Sequence, residues 1–248
     1  MDRIFALIYG IFAYLVFLVS FLYSIGFVGN IIVPKSIDSG IGSFPITSAI
    51  TNIFLLSIFA LQHTVMARPS FKRVWTKVIP KTVERTTYVL LSSLALLLIY
   101  AYWQPMRGVI WNLSGTTTGA ALQVVFWIGW GIVLTSTFMI DHFDLFGLRQ
   151  VYVNLKGREF AHPRFRKHLF YKLVRHPIMS GFIIGFWATP QMTTGHLLFS
   201  IITTAYIYIA VKHFEEKDLV NEIGEEYVRY QEQVGTFFPR IRKNYRKH

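Results

Sequence analysis

Polar side chains that could carry acid–base or ligand-binding chemistry occur in four groups, each beside a long apolar stretch. The groups are Gln62, His63 and Arg68; Asp141, His142, Asp144, Arg149 and Gln150; Arg175 and His176; and Glu215 and Glu216. Ionisable groups at the edge of hydrocarbon are costly unless they are paired or hydrated. The four groups therefore predict one polar pocket at a single membrane face, although any one of them could simply end a helix among lipid headgroups.

Two histidines are candidates for proton transfer. A carboxylate beside an imidazole can fix its tautomer and raise its basicity, which favours His142 with Asp141. His63 is the second candidate. Adjacent helical residues point in different directions, so Asp141 need not touch His142, and Asp144 can equally cap a helix. A haem held between His63 and His142 is another interpretation of the same two residues.

Two of the groups, Arg175 with His176 and Glu215 with Glu216, predict a helix start that binds anions and lies close to two carboxylates. Pro177 at a first helical position starts a helix whose free amide groups and partial positive charge attract anions. If the following apolar limbs form an antiparallel hairpin, Glu215 and Glu216 return to the vicinity of Arg175 and His176. One carboxylate would then pair with Arg175 while the other accepts hydrogen bonds from hydroxyl groups. A purely structural ion pair is the simpler alternative.

The composition indicates a membrane protein. Of the 248 residues, 53% are hydrophobic and only 15% are charged, which is less charge than a soluble domain carries. There is no cysteine, so thiolate metal sites and disulfides are excluded, and we expect no metal site. The net charge of +12 is spread between apolar runs, which favours anionic lipid headgroups as partners and not nucleic acid.

The apolar runs predict an all-α polytopic fold in a single domain, residues 1–248. Residues 1–140 would hold four transmembrane helices, at Ile4–Val28, Ile46–Met66, Tyr88–Trp103 and Ala120–Ile140. A cytoplasmic loop would follow at 141–176, then a helical hairpin at 177–212, then a cytoplasmic amphipathic helix and basic tail at 213–248. The first hairpin limb, 177–189, covers only roughly 20 Å of the roughly 30 Å hydrocarbon core.

The distribution of positive charge predicts the orientation. Segments 68–85, 141–175 and 212–248 hold 22 of the 25 Lys and Arg residues, and such segments normally stay in the cytoplasm. We therefore expect both termini to be cytoplasmic, in a membrane of the bacterial inner-membrane type. Gly224 interrupts the tail helix, which suggests close approach by another backbone or a ligand.

Ordered motifs over the last third of the chain resemble the isoprenylcysteine carboxyl methyltransferase-like and NnrU-like membrane methyltransferases. The motifs are Arg175-His176-Pro177, Gly181, Trp187, Pro190, Met192, Glu215-Glu216, Leu219, Gly224 to Tyr227, Tyr230 and Pro239. Within that superfamily, segments 62–72, 83–88 and 140–150 resemble methanethiol S-methyltransferases, which make dimethyl sulfide. The resemblance covers nearly the whole chain. One departure is Met179, where the family usually has an aromatic residue.

The resemblance implies an enzyme that uses S-adenosyl-L-methionine. It places Arg175, His176, Gly181, Glu215 and Glu216 around the cofactor, with Tyr227 and Tyr230 on a lid. We expect His142, Asp141 and His63 to be catalytic. The substrate pocket is expected to involve Arg68, Asp144, Arg149, Gln150 and Trp187.

Two other functions share these features. One keeps the cofactor and methylates a lipophilic acceptor, namely an isoprenylcysteine carboxylate, a phospholipid amine or another thiol, because a fold alone does not fix the acceptor. The other is a non-enzymatic haem-binding or transport protein. The expected partners are a small volatile thiol and anionic lipids, with no obligate protein partner.

Overall fold

Helices make up most of the computed structural model, which describes residues 2–161 and 169–240. The predicted loop and tail therefore lie partly outside the described residues, at 162–168 and 241–248. In chain order the helices are α1 (Arg3–Gly29), α2 (Pro45–Ala67), α3 (Pro69–Trp75), α4 (Lys81–Tyr102), α5 (Thr117–Ile140), α6 (His142–Leu145), α7 (Leu148–Leu155), α8 (Pro177–Trp187), α9 (Thr194–Ala210), α10 (Glu216–Ile223) and α11 (Glu225–Gln233).

Three short elements complete the described part of the chain. Strands β1 (Val109–Asn112) and β2 (Gln191–Thr193) pair antiparallel. A 3₁₀ turn covers Leu169–Lys172. A π-helical turn at Val211–Glu215 joins α9 to α10 without a break, and the amide of Glu216 donates to the carbonyl of Val211, five residues back.

Five helices are long and apolar enough to cross a bilayer: α1, α2, α4, α5 and the continuous Thr194–Ile223 helix. The predicted all-α polytopic fold is confirmed, and the protein is an integral membrane protein. The fifth helix is longer than predicted, because the π-helical turn continues the return limb of the hairpin past Val211. Helix α8 has 11 residues, roughly 16 Å, and covers only about half of the hydrocarbon core.

Helices α1 and α4 run parallel, because Tyr9 donates to Thr87 near the start of both helices and Tyr23 stacks on Tyr100 at 5.1 Å near the end of both. Helix α2 runs antiparallel to α4. Asn52 near the start of α2 donates to the carbonyl of Gln104, and His63 near the end of α2 contacts Tyr88 near the start of α4. The Lys- and Arg-rich connections consequently meet at one end of the bundle, called the basic end below.

The opposite end is closed by a hydrogen-bond network around Asp38. Its carboxylate accepts from the hydroxyl of Thr193 at 2.6 Å and from the side-chain amide of Asn30 at 2.8 Å. The guanidinium of Arg107 donates to the Asp38 carbonyl at 3.1 Å. The β1–β2 pair lies at this end, and its short strands carry no alternating pattern that would predict them.

Helices α5 and α8 approach closely through glycines. A Cβ atom added at Gly181 would lie 2.7 Å from the carbonyl oxygen of Gly129 and 2.9 Å from the amide of Val133. Both of these neighbours are backbone atoms, which cannot move without shifting a helix. The close approach places the start of α8 firmly against α5.

Gly181→Ala is expected to lower the free energy of unfolding by about 1–3 kcal/mol, because the extra methyl group separates the two helices. Gly131→Ala is the matched control on α5, since a Cβ there meets no atom within 4 Å and alanine favours helix. Thermal unfolding of both variants in detergent, followed by circular dichroism, measures the difference. Equal midpoints for the two variants would contradict this packing.

Candidate active site at the basic end

A buried ion pair between Arg175 and Glu216 forms the centre of the site. The Arg175 Nε atom donates to Glu216 Oε1 at 2.8 Å, and Nη2 donates to the Thr236 hydroxyl, also at 2.8 Å. Nη1 donates to the carbonyls of Gln231 and Val234. The predicted pairing of Arg175 with one of the two glutamates is confirmed. Because protein acceptors occupy every side of the guanidinium, Arg175 is held rigidly.

The imidazole of His176 lies between the two carboxylates. His176 Nδ1 is 3.5 Å from Glu215 Oε1, and Nε2 is 3.5 Å from Glu216 Oε1. Lys212 donates to the second oxygen of Glu216 at 3.1 Å. Burial alone would lower the pKa of His176, but the Glu215 and Glu216 carboxylates outweigh it and raise the pKa. The site thus collects two carboxylates and three cationic or potentially cationic groups.

Glu215 lines a recess. Its side chain keeps 45% of its accessibility, although protein groups surround it and interact with it electrostatically. These groups include His63 of α2, Tyr88 of α4 and Tyr206 of α9. Polar groups of α2, α4, α9 and the start of α8 therefore lie near the accessible Glu215 side chain. The space beside this side chain is called the recess below.

His63 has partners on both ring nitrogens. The Tyr88 hydroxyl is 2.8 Å from Nε2 and 3.0 Å from Nδ1, and the Ser92 hydroxyl is 3.2 Å from Nδ1. Phe59 stacks on the ring with a centroid distance of 5.1 Å. These contacts fix the imidazole in position beside the recess.

His142 belongs to a different polar group. The Thr137 hydroxyl donates to the Leu134 carbonyl, so it accepts from His142 Nδ1 at 2.8 Å, and this leaves Nε2 to accept from the Tyr14 hydroxyl at 2.8 Å. Phe138 stacks on the ring at 4.3 Å. Burial lowers the pKa of His142, and the nearby Asp141 carboxylate offsets this only in part. Both ring nitrogens of His142 therefore have hydrogen-bond partners.

The residues that follow His142 hold the chain between α5 and α7. Asp141 Oδ2 accepts from Arg149 at 2.9 Å, and Asp141 Oδ1 accepts from the amide of Asp144 at 3.1 Å. Gln150 donates to the carbonyl of Asp144 at 3.1 Å. Asp141 is therefore the N-cap of α6, and its side chain accepts from the amide of Asp144. No hydrogen bond or ion pair within the described ranges joins His142 to Glu215 or Arg175.

The remaining predicted residues lie at different places around the bundle. Arg68 pairs with Asp218 of α10 at 2.9 Å and lies 4.9 Å from the centre of the Phe214 ring, at the rim of the recess. Trp187 donates to Thr204 at the far end of α8, ten residues and roughly 15 Å from Pro177. Gly181 faces α5. The structure thus brings Arg68 to the site and leaves Trp187 away from it.

Helices α10 and α11 cover the site from the basic side. Tyr227 and Tyr230 are almost fully buried, and the Tyr230 hydroxyl donates to the Tyr171 carbonyl. Burial raises the pKa of Tyr230 to about 12. Gly224 has φ 73°, and a Cβ added there would meet no atom within 4 Å, so no other backbone of the described residues approaches it closely, and approach by a ligand stays a prediction. Glycine suits the turn between α10 and α11 because this turn needs a positive φ.

A strap formed by residues 234–237 crosses the start of α8. The amides of Arg175 and His176 donate to the carbonyls of Gly235 and Thr236 at 2.8 and 3.1 Å. The Ser180 hydroxyl donates to the carbonyl of Phe237 at 2.7 Å. These bonds use backbone groups of the strap, which explains why side-chain patterns did not predict it.

Sequence reasoning also missed the hydroxyl groups that hold the two histidines. Tyr88 and Ser92 are spaced four residues apart on α4, and Tyr14 lies within the apolar α1. Aromatic residues are frequent in this chain, so a tyrosine in a membrane span resembles ordinary packing. The i, i+4 spacing of two hydroxyl side chains on an apolar helix is the one signal that pointed to a polar contact.

Sequence comparison identifies relatives along almost the whole chain. Methanethiol S-methyltransferase of Mycobacterium tuberculosis is 52% identical over 240 residues, which cover 96% of this chain and 98% of the relative. Methanethiol S-methyltransferase 2 of Bradyrhizobium diazoefficiens is 51% identical over 239 residues, covering 96% and 92%. Nurim of Xenopus laevis is 27% identical over 205 residues, covering 78% and 71%. No family model and no solved structure matches the chain.

Proposed function

This chain belongs to the methanethiol S-methyltransferase family, and we propose that it methylates methanethiol to dimethyl sulfide with S-adenosyl-L-methionine as the methyl donor. The observation that carries the proposal is the 52% identity over 96% of the chain to a relative of that name. The polar recess around Glu215 supports it, because it offers a binding place for a charged donor among apolar helices.

The residues of the recess fit such a donor. S-adenosyl-L-methionine supplies an electrophilic methyl group on a sulfonium, together with amino, carboxylate and hydroxyl groups. The accessible Glu215 carboxylate can accept hydrogen bonds from amino or hydroxyl groups. The Nε2 atom of His176 lies 3.5 Å from Glu216 Oε1, so the imidazole connects the two carboxylates beside the recess. Arg175, whose donors are occupied, positions Glu216 and the strap.

The surroundings of the recess favour methyl transfer to a thiolate. Opposite charges approach and cancel in this reaction, and their attraction is stronger where water is excluded. Groups of three membrane helices lie near Glu215, and Tyr227, which is 1% exposed, interacts electrostatically with Glu215 and Glu216. This chain therefore contributes a water-poor environment and a fixed alignment of the reacting groups.

We assign proton removal from the thiol to the His63 side of the recess. The pKa of a small alkyl thiol is no lower than roughly 8.5, so most of it is protonated at neutral pH. His63 interacts electrostatically with the Glu215 carboxylate, whereas, in the described part of the chain, the only charged group that acts on His142 is Asp141. The positions of Asp141, Asp144, Arg149 and Gln150 beside His142 favour a role in holding α5 and α7, and substrate contacts of these residues stay a prediction.

The orientation proposed for the chain places the site within reach of a soluble donor. The recess opens toward the basic end of the bundle, and Lys- and Arg-rich segments normally remain cytoplasmic. We place the basic end on the cytoplasmic side of a bacterial-type inner membrane. Both the soluble donor and a volatile thiol dissolved in the membrane can then reach Glu215.

Purified protein in detergent, supplied with S-adenosyl-L-methionine and methanethiol, is expected to release dimethyl sulfide, measured by headspace gas chromatography. Parallel reactions with a prenylated cysteine or phospholipid amine test the lipophilic acceptors. Calorimetry with S-adenosylhomocysteine tests cofactor binding separately. Cofactor binding without dimethyl sulfide would contradict the acceptor, and absence of both binding and product would contradict the methyltransferase proposal.

A further inference from the structure

We propose that the Tyr88 hydroxyl, and not the His63 ring, receives the thiol proton and passes its own proton to His63. This inference rests on the proposed function and specifies how the acceptor thiol is activated. It starts from the observation that both nitrogens of His63 have partners. Ser92 is 3.2 Å from Nδ1, which leaves the Tyr88 hydroxyl at Nε2, 2.8 Å away.

A hydroxyl group can act between a thiol and an imidazole because it has one donor and two acceptor positions. While the Tyr88 hydroxyl donates to His63 Nε2, its oxygen keeps a lone pair for the thiol hydrogen. The imidazole itself has no free nitrogen in this arrangement. Direct transfer from the thiol to His63 would require one of the two hydroxyl contacts to break.

Tyr88 is placed between the membrane core and the recess. Its side chain is 8% exposed and interacts electrostatically with the Glu215 carboxylate. The other charged or titratable groups that act on Tyr88 and His63 are Arg85, Glu84 and Tyr206. Arg85 donates through Nε to the Leu145 carbonyl, which holds it beside the Tyr88 ring. Of the charged groups that act on His63, Arg85 disfavours its protonated form and the Glu215 carboxylate favours it.

The proposed step balances in atoms and charge. The S–H bond of the thiol breaks as an O–H bond forms at Tyr88, and the original Tyr88 O–H bond breaks as an N–H bond forms at His63 Nε2. The thiolate sulfur forms a bond to the methyl carbon, and the bond between that carbon and the donor sulfur breaks. His63 becomes an imidazolium beside Glu215 and returns its proton to water after product release.

Tyr88→Phe is expected to lower kcat at pH 7 by roughly 10²-fold or more, the usual contribution of positioned proton transfer, with unchanged affinity for S-adenosylhomocysteine. Tyr100→Phe is the matched control. It removes another buried tyrosine hydroxyl from α4, 12 residues or roughly 18 Å nearer the opposite end, and should keep the wild-type kcat. Retained cofactor affinity shows that a slow variant is folded.

The pH profile separates proton transfer from a structural effect. Below the thiol pKa, the rate of Tyr88→Phe should rise about tenfold per pH unit, because only pre-ionised thiol reacts, while the wild type changes less. A more acidic small thiol, 2,2,2-trifluoroethanethiol, should likewise reduce the defect. A defect of constant size across pH and thiols, or a kcat equal to wild type, would overturn the inference.

A second measurement avoids loss of the side chain. Replacing Tyr88 with a ring-fluorinated tyrosine makes its hydroxyl more acidic, so the alkaline fall in kcat should move to lower pH. An unmoved profile would contradict the relay. If the pH-dependent defect appears in Tyr14→Phe instead, the proton passes to His142. If the wild type itself forms no dimethyl sulfide, the proposed function fails, and this outcome is distinct from failure of the relay.

Discussion

Glu216→Ala is expected to lower the free energy of unfolding by about 3–5 kcal/mol, because it leaves the buried Arg175 guanidinium without its carboxylate. The two side chains are 5% and 7% exposed, so water cannot replace the lost partner. The strap should loosen as well, since Arg175 also holds the carbonyls of Gln231 and Val234. Cofactor affinity should therefore fall together with stability.

Unfolding in detergent followed by circular dichroism, with calorimetry for S-adenosylhomocysteine, measures both effects of Glu216→Ala. Glu225→Ala is the control, because Glu225 is an exposed glutamate on the neighbouring α11. The double variant Arg175→Met with Glu216→Leu removes both charges and should be more stable than Glu216→Ala alone. A stability loss below about 1 kcal/mol in Glu216→Ala, the level of an exposed pair, would contradict the buried pair.

His63→Ala is expected to reduce kcat at pH 7 by roughly 10²–10⁴-fold, the range for loss of a general base. Affinity for S-adenosylhomocysteine should change little, since the charged groups around His176 remain. We expect the larger effect at His63 because His63 and Tyr88 lie at the recess. The nitrogens of His142 contact Thr137 and Tyr14 in a different polar group.

His142→Ala is the comparison that makes the His63 result decisive. It should remove two hydrogen bonds and a ring stack, which together stabilise the fold by about 2–4 kcal/mol. The folded fraction should keep most of its turnover per active site, measured by headspace dimethyl sulfide against titrated cofactor sites. Full turnover in His63→Ala together with inactive, folded His142→Ala would transfer the proton-accepting role to His142.

The sequence predicted the centre of the site more accurately than its edges. Pro177 started a helix as expected, and the return of the hairpin brought Glu216 to Arg175. This worked because an antiparallel hairpin places its two ends together whatever its exact length. Charge distribution predicted the shared basic end for the same reason, since it depends only on the order of the helices.

The depth of His142 could not be predicted in this way. Apolar runs give the length of a helix but not the level at which the next segment packs. In the structure, the Tyr14 hydroxyl reaches His142 and Phe17 stacks on Phe146 at 3.7 Å. Tyr14 is 11 residues from Arg3, roughly 16 Å along α1. The segment after α5 therefore packs beside the middle of α1, through aromatic contacts between residues distant in sequence.

The helices after Lys212 differ from the prediction for a local reason. One amphipathic helix is expected after Lys212, whereas the chain forms α10 and α11 with Gly224 between them. Apolar residues at regular helical spacing look the same whether the helix is continuous or is interrupted by a turn after which the same face stays buried. Gly224 is the available signal, but a glycine in a helical pattern marks a change of direction as readily as close approach by a neighbour. Its positive φ decides between the two only once the structure is known.

The π-helical turn at Val211–Glu215 means that the number of residues in this turn sets the direction in which Glu216 points. An ordinary helix advances each residue by roughly 100°, and a π turn accommodates one extra residue without a break in the helix. Loss of one residue there would rotate Glu216 by about that angle, away from Arg175. The number of residues between the Thr193 cap, at the opposite end of the bundle, and the two glutamates therefore matters as much for the Arg175–Glu216 pair as the identity of the glutamates.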